Sequence, residues 1–180
     1  MSHSETMLES QRIYEGKILN LRRDRVLLEN GKTSWREVVE HRGAAAILAV
    51  DEEDNLLLVR QYRYALGREL LEIPAGKLDR EGEDPRSAAI RELREETGCL
   101  AGRMAYLGVF YPSVGYDTEA IHLFEARELT QSAQQLDEDE FLDVVRLPVS
   151  KAVEMALSGQ FPDGKTQCAI LHLAARRAEK

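Results

Sequence analysis

Apolar positions follow two rhythms along this chain. Gly43–Val50, GAAAILAV, is apolar without a break, which predicts a strand buried on both faces. A charged turn, Asp51–Asn55, separates it from a second strand at Leu56–Tyr64, LLLVRQYRY. Arg68–Ala75 leads into a glycine loop, with Pro74 ending strand character. Met104–Tyr111, Ala120–Ala126 and Phe141–Leu147 also read as strands, and Gln131–Asp139 as a polar, acidic loop. Upstream, residues 12–21, 22–30 and 32–41 predict three short strands, and Asn30-Gly31 is a hairpin turn between the last two. Met1–Ser10 is polar and reads as a mobile start.

The helical rhythm governs the other stretches. Asp84–Pro85 suits a helix start and Gly98 a C-terminal cap. Between them Ala89, Ile90 and Leu93 share a face suited to a core. Ser150–Ser158 and Thr166–Glu179 are amphipathic helix candidates, with Ser150 and Asp163 as starts and Gly159 as a stop. Strands and helices interleave, so the class is α/β, with a small antiparallel β unit at the N-terminus. A unit of two or three strands is marginal alone and must pack on the main domain or on a second subunit.

Composition narrows the function. The 180 residues suffice for one domain, or one domain with an appendage. A net charge of −8 argues against a general nucleic-acid binder, because no basic field is available to release counterions. Two cysteines are too few for a disulfide scaffold; Cys99 reads as a packed thiol. Neither a signal peptide nor a membrane span is visible, so a cytoplasmic protein without membrane partners is expected.

The helix also carries chemistry. Glu92, Glu95 and Glu96 are spaced i, i+3 and i+4, which gathers their carboxylates on one stripe. Like charges there repel, and a divalent cation offsets the repulsion. Hard oxygen donors suit Mg2+ or Mn2+ better than zinc. The ordinary alternative is a solvated acidic face.

The surrounding stretch resembles the Nudix box: Gly76, Glu83, Arg91, Glu92, Leu93, Glu95, Glu96, Gly98 and Cys99 fall in its pattern. Six residues instead of five separate Gly76 from Glu83, so the loop holds one extra residue. The resemblance implies the Nudix fold, an α/β/α sandwich with a mixed sheet. It divides the chain into a β-strand section, residues 1–42, used for dimerisation, and a hydrolase domain, residues 43–180. It implies a metal-dependent enzyme that splits the pyrophosphate bond of ADP-ribose or a related small-molecule nucleoside diphosphate sugar, acting as a homodimer. GDP-mannose or UDP-sugar hydrolysis is the alternative within the class; a non-catalytic ligand-sensing module is the alternative outside it. By the same resemblance Ala75 and Glu140 join Glu92, Glu95 and Glu96 as metal contacts, and Glu138 is the catalytic base beside Glu92 and Glu96, with Glu119 in reserve.

Substrate contacts are read from residue type. The guanidinium fork of Arg63 matches diphosphate oxygens, with Arg36 second, across a dimer interface. Trp35 is a candidate to stack on adenine, or else a core or interface aromatic. Arg91 is placed as an ion-pairing residue that orients the acids, with Glu83 as its partner. Tyr111–Glu119 holds a Pro and a Gly and reads as a turn between strands that also resembles a substrate-side segment of the ADP-ribose group. His41 and His122 lack partners at metal-ligand spacing and read as structural.

Overall fold

The computed structural model describes residues 3–79, 82–136, 138 and 140–179. The chain divides into two compact units, Met1–Gly43 with Tyr111–Ala120, and Ala44–Phe110 with Ile121–Lys180.

The first unit is a three-stranded antiparallel sheet in the order β1 (Thr6–Glu15), β2 (Asn20–Leu27), β3 (Thr33–Glu40). Asn30-Gly31 makes the β2–β3 hairpin as the sequence predicts. Gly31 takes a left-handed backbone conformation, and its N–H donates to Leu28 O at 2.9 Å. β1 corrects the expectation of a mobile start, since it is a strand from Thr6. All ten of its residues are exposed, so no alternation of apolar and polar positions marks it in the sequence. What holds it is a ladder of backbone bonds to β2 and an ion pair across the sheet between Arg12 and Glu40. The segment 111–120 joins this unit through β3: Val39 N–H donates to Tyr116 O at 2.7 Å, and Thr118 N–H to Val39 O at 3.0 Å.

The second unit is built on a seven-stranded sheet. Its path runs β10 (Leu142–Pro148), β5 (Asn55–Arg63), β4 (Ala44–Val50), β9 (Ile121–Gln131), β8 (Cys99–Phe110); β6 (Arg68–Glu72) pairs with β5, and β7 (Ala75–Lys77) with β4. The β4–β9 pairing is parallel and the others are antiparallel, so the sheet is mixed. Side chains alternate along β4 and serve two cores. Ala44, Ala46, Leu48 and Val50 pack with α2 (Val149–Leu157), α3 (Gly164–Ala178) and Phe161. Ala45, Ile47 and Ala49 pack with Ala88, Ala89 and Leu93 of α1 (Pro85–Thr97) and with Phe124. Helices therefore cover both faces, which makes the unit an α/β/α sandwich. Full burial of Ile47, Leu48 and Phe161 contributes about 1.5–3 kcal/mol each.

The α1 ends follow the sequence. Asp84 caps the first turn by accepting from Ser87 N–H at 3.1 Å. Gly98 closes the last turn in the left-handed conformation that glycine adopts freely. The core face differs by one residue: Ile90 is exposed, while Ala88, Ala89 and Leu93 are buried. The buried stripe runs Ala88–Ala89–Glu92–Leu93–Glu96, so two of the carboxylates lie on the core side. β8 begins directly after Gly98 and β9 continues to Gln131, both longer than their apolar runs, because the β8–β9 ladder extends beyond the buried part of the sheet. α2 begins after Pro148, before Ser150, and Asp163 caps α3 by accepting from Thr166 N–H at 3.0 Å.

Candidate active site

The α1 register and the β6–β7 connection place the site. Ala75 and Gly76 pair with Ala46 and Ala45 of the central strand, which fixes them against α1. The Ala75 N–H donates to Glu96 Oε2 at 2.9 Å. Gly76 has no room for a side chain: a Cβ there would stand 2.0 Å from the Glu92 carboxylate carbon. A backbone this close to a carboxylate is a position that only glycine fills.

Arg91 ties the loop to the helix. Its Nη1 donates to Glu92 Oε1 at 2.7 Å and to Glu95 Oε2 at 3.0 Å. Its Nη2 lies 3.2 Å from Asp79 and 3.6 Å from Glu83, the partner the sequence suggests. Glu83 in turn accepts from Asp79 N–H at 2.5 Å. Burial alone would lower the Arg91 pKa, but the carboxylates that surround it push it up.

Burial raises the Glu92 carboxyl to about 7; Glu95 and Glu140 add repulsion, and Arg91 offsets part of it. Burial likewise raises Glu96 to about 8; Glu92 and Glu140 add to the rise and the Ala75 N–H opposes it. Glu92, Glu96 and Glu140 thus act on one another as like charges, while Glu95 stands half-buried beside them and Glu138 is exposed in a turn. Arg80, Glu81, Asp137 and Asp139, which belong to the box loop and the acidic loop, lie outside the described residues. Among the described residues no three His, Cys, Asp or Glu side chains are drawn into a ready metal cage; Arg91 bridges Glu92 and Glu95 instead.

The donor set nonetheless fits a hard divalent cation. The two carboxyls are raised because burial penalises their charge, and a divalent cation beside them would favour the ionised forms. The glycine at position 76 keeps the space beside Glu92 free of a side chain.

A second cluster, missed in the sequence, stands behind this one. Glu72 is buried, and Arg63 grips it with Nε at 2.7 Å and Nη2 at 2.9 Å. Lys165 Nζ reaches the same carboxylate at 2.5 Å and Asp163 at 3.0 Å. Burial alone would raise Glu72, but its bonds to Arg63 and Lys165 hold it below the usual carboxylate range. Thr166 Oγ1 accepts from Ile73 N–H at 2.9 Å, so the start of α3 anchors the strand that leads to Ala75. A charge inside the apolar run Leu70-Leu71-Glu72-Ile73 was the available signal for Glu72; Lys165 has none, being 93 residues away.

Trp35 and Arg36 belong to the N-terminal unit. Trp35 is half-exposed, so it is not a core aromatic. The Arg23 guanidinium lies 4.7 Å over its ring, a cation–π contact. Arg36 pairs with Glu5. In the same unit Glu119 lies 3.5 Å from His41. His122 contacts the Tyr106 hydroxyl at 3.4 Å, and Cys99 is buried against Thr97.

An acid-lined helix against a glycine strand, on a mixed sheet covered from both sides, suits metal-assisted hydrolysis of a phosphoanhydride. Residues 40–166 match the NUDIX domain, and residues 5–39 match the nucleoside diphosphate sugar hydrolase N-terminal domain. The chain is 41% identical to the ADP-ribose pyrophosphatase of Bacillus subtilis over 179 residues, covering 98% of this chain and 96% of that protein. It is 36% identical to the GDP-mannose pyrophosphatase of Salmonella arizonae over 156 residues, covering 80% of this chain and 81% of that protein. A crystal structure described as an ADP compounds hydrolase superposes with a TM-score of 0.83 at 23% identity, over 97% of this chain and 95% of that one, a likeness of fold. The chain belongs to the Nudix family and is a hydrolase acting on pyrophosphate bonds. Nudix hydrolases generally need divalent metal ions.

Proposed function

We propose that this chain hydrolyses ADP-ribose to AMP and ribose 5-phosphate, with Mg2+ or Mn2+ as the cation. The observation that carries the chemistry is the pair Glu92 and Glu96, buried on one face of α1 against Gly76, and the 41% identity to an ADP-ribose pyrophosphatase favours that substrate. Ala75, Glu92, Glu95, Glu96 and Glu140 would hold the cation, which supplies Lewis acidity to the diphosphate oxygens when bound. Arg91 orients Glu92 and Glu95, and the Ala75 N–H orients Glu96. Glu138, exposed in its turn, takes the proton of the attacking water. That water's oxygen bonds to one phosphorus as the bridging P–O bond breaks, and the second phosphate leaves. Arg63 uses Nε and Nη2 on Glu72, which leaves Nη1 to meet the diphosphate. Trp35 is our candidate to stack on adenine, and Arg36, from across the dimer interface, our second candidate for the diphosphate.

Residues 1–42 serve as the dimerisation section and 43–180 as the catalytic one. Support comes from β1, whose apolar Met7, Leu8, Ile13 and Tyr14 are exposed on a long strand of the kind that soluble proteins cover. A homodimer by light scattering is expected; a monomer at assay concentrations contradicts it. No helix among the described residues is long and apolar enough to cross a membrane, and we place the enzyme in the cytoplasm.

The likeness to a GDP-mannose pyrophosphatase supports one second reading, in which GDP-mannose or a UDP-sugar is preferred. A panel of ADP-ribose, GDP-mannose and UDP-sugars, assayed with Mg2+ and with Mn2+, decides between them. The proposal expects AMP from ADP-ribose at the highest kcat/KM. Faster release of GMP or UMP from the other sugars overturns it, and no release from any of them points to a ligand-sensing module.

A further inference from the structure

A groove of about 370 Å³ in the second unit is lined by four arginines, Arg103, Arg127, Arg176 and Arg177, against one carboxylate, Glu125. Arg103 and Arg127 stand directly opposite each other in the β8–β9 ladder. Like charges at that position cost stability. Glu125 offsets part of the cost. It is buried, and it accepts from Arg127 Nε at 2.8 Å and Arg176 Nη1 at 3.0 Å. Burial would raise its carboxyl, but these arginines hold it below the usual carboxylate range. Arg177 has its own partner, donating to Asp54 at 2.9 Å and 2.5 Å. Arg103, by contrast, makes no salt bridge among the described residues and acts on Glu125 through space.

Within this groove three guanidinium groups share Glu125, while Arg103 and Arg127 also border Asp51, Glu52, Asp54 and Glu128 in an adjoining groove. Guanidinium forks fixed in place by a buried acid present paired N–H donors at little entropic cost, the geometry that phosphate oxygens match. The methyl side chain of Ala105, opposite Glu125 in the ladder, leaves the space between the arginines open.

We propose that this groove is an anion site that binds the phosphomonoester group of a small phosphorylated molecule. The site involves no residue of the carboxylate cluster on α1. Arg103, Arg127 and Arg176 clasp the dianion, and Glu125 stays ionised to hold two of them in place.

The test is titration of the full-length, metal-free protein with inorganic phosphate, ribose 5-phosphate and ribose, followed by amide and arginine side-chain NMR and by calorimetry. Inorganic phosphate and ribose 5-phosphate are expected to shift the signals of Arg103, Arg127 and Arg176, while ribose shifts none. Stronger binding of ribose 5-phosphate identifies an organic phosphomonoester as the ligand; binding of inorganic phosphate that is equal or stronger overturns that assignment. Arg103→Gln should weaken binding about tenfold and leave pyrophosphatase activity and thermal stability unchanged. Arg176→Gln, at the exposed end of α3, provides the same readout if Arg103→Gln does not fold. Wild-type affinity in these variants, shifts confined to residues around Gly76 and Arg63, or no shift at millimolar phosphate would overturn the proposal. A wild-type protein inactive toward nucleotide sugars would overturn the proposed function and leave the phosphate titration as the test of this site, so the two readings fail separately.

Discussion

Replacing Glu96 by Gln should make the metal-free protein more stable at pH 8 while it abolishes turnover. The ordinary value of 4.5 becomes about 8 in the folded chain, because Glu96 is buried among like charges. A carboxyl raised on folding contributes fully to stability below its unfolded pKa and loses that contribution as pH climbs to the folded value. The metal-free wild type should therefore lose stability between about pH 4.5 and about pH 8 through this group. At about 1.4 kcal/mol per tenfold change in proton equilibrium, ionising Glu96 inside the fold costs at most roughly 4 kcal/mol by pH 8. Burying a polar amide in place of the carboxyl gives back part of this, so about 2 kcal/mol is the expected gain. The glutamine amide removes the charge and keeps an oxygen for the Ala75 N–H. For a chain of this size, about 2 kcal/mol corresponds to a rise of roughly 4–8 °C in Tm. Thermal melts in a chelator at pH 5 and pH 8 test this. The gain should appear at pH 8 and shrink at pH 5. A variant melting below the wild type at both values would refute the idea that charge at Glu96 strains the fold.

Other perturbations probe separate parts of the site. Gly76→Ala drives a methyl into the Glu92 carboxylate and should lower kcat about tenfold or more at saturating metal, with chelated Tm reporting any general loss of fold. Glu138→Gln should cut turnover about 10²–10⁴-fold with metal affinity unchanged; an unchanged rate moves the base to Glu119 or Glu140. Lys165→Met leaves buried Glu72 with Arg63 alone and should cost about 2–3 kcal/mol, read by chemical denaturation; an unchanged midpoint would show that Arg63 suffices. Added Mg2+ should raise Tm more at pH 8 than at pH 5, because Glu92 and Glu96 must lose their protons to bind it. Equal shifts at both values would contradict their role as ligands.

Local signals carry much of this fold in the sequence. The Asp84 cap, the Gly98 stop, the Asn30-Gly31 turn and the unbroken run of β4 each depend on neighbours a few residues away, and each stands in the structure. The first half of β1 is invisible there because it buries no side chain and so shows no alternation, and the strand expected at residues 12–21 is broken by a turn at Gly16, where β1 ends at Glu15 and β2 begins at Asn20. A helix face chosen by hydrophobicity alone misplaces Ile90, because it ignores acids that pack inward; Glu92 and Glu96 hold the core side while Ile90 turns out. At the site, the spacing of the acids and the Arg91–Glu83 pair are legible on one helix and its loop. The Glu72–Lys165 pair is not, since the two residues meet only when α3 folds back onto β6.

The central claim is that Glu92 and Glu96 hold a divalent cation, and titration with Mn2+ followed by electron paramagnetic resonance tests it most directly. The free-ion signal should be lost on addition of wild-type protein at pH 8 and persist with Glu92→Gln and Glu96→Gln. Equal uptake of Mn2+ by the wild type and both variants would contradict it.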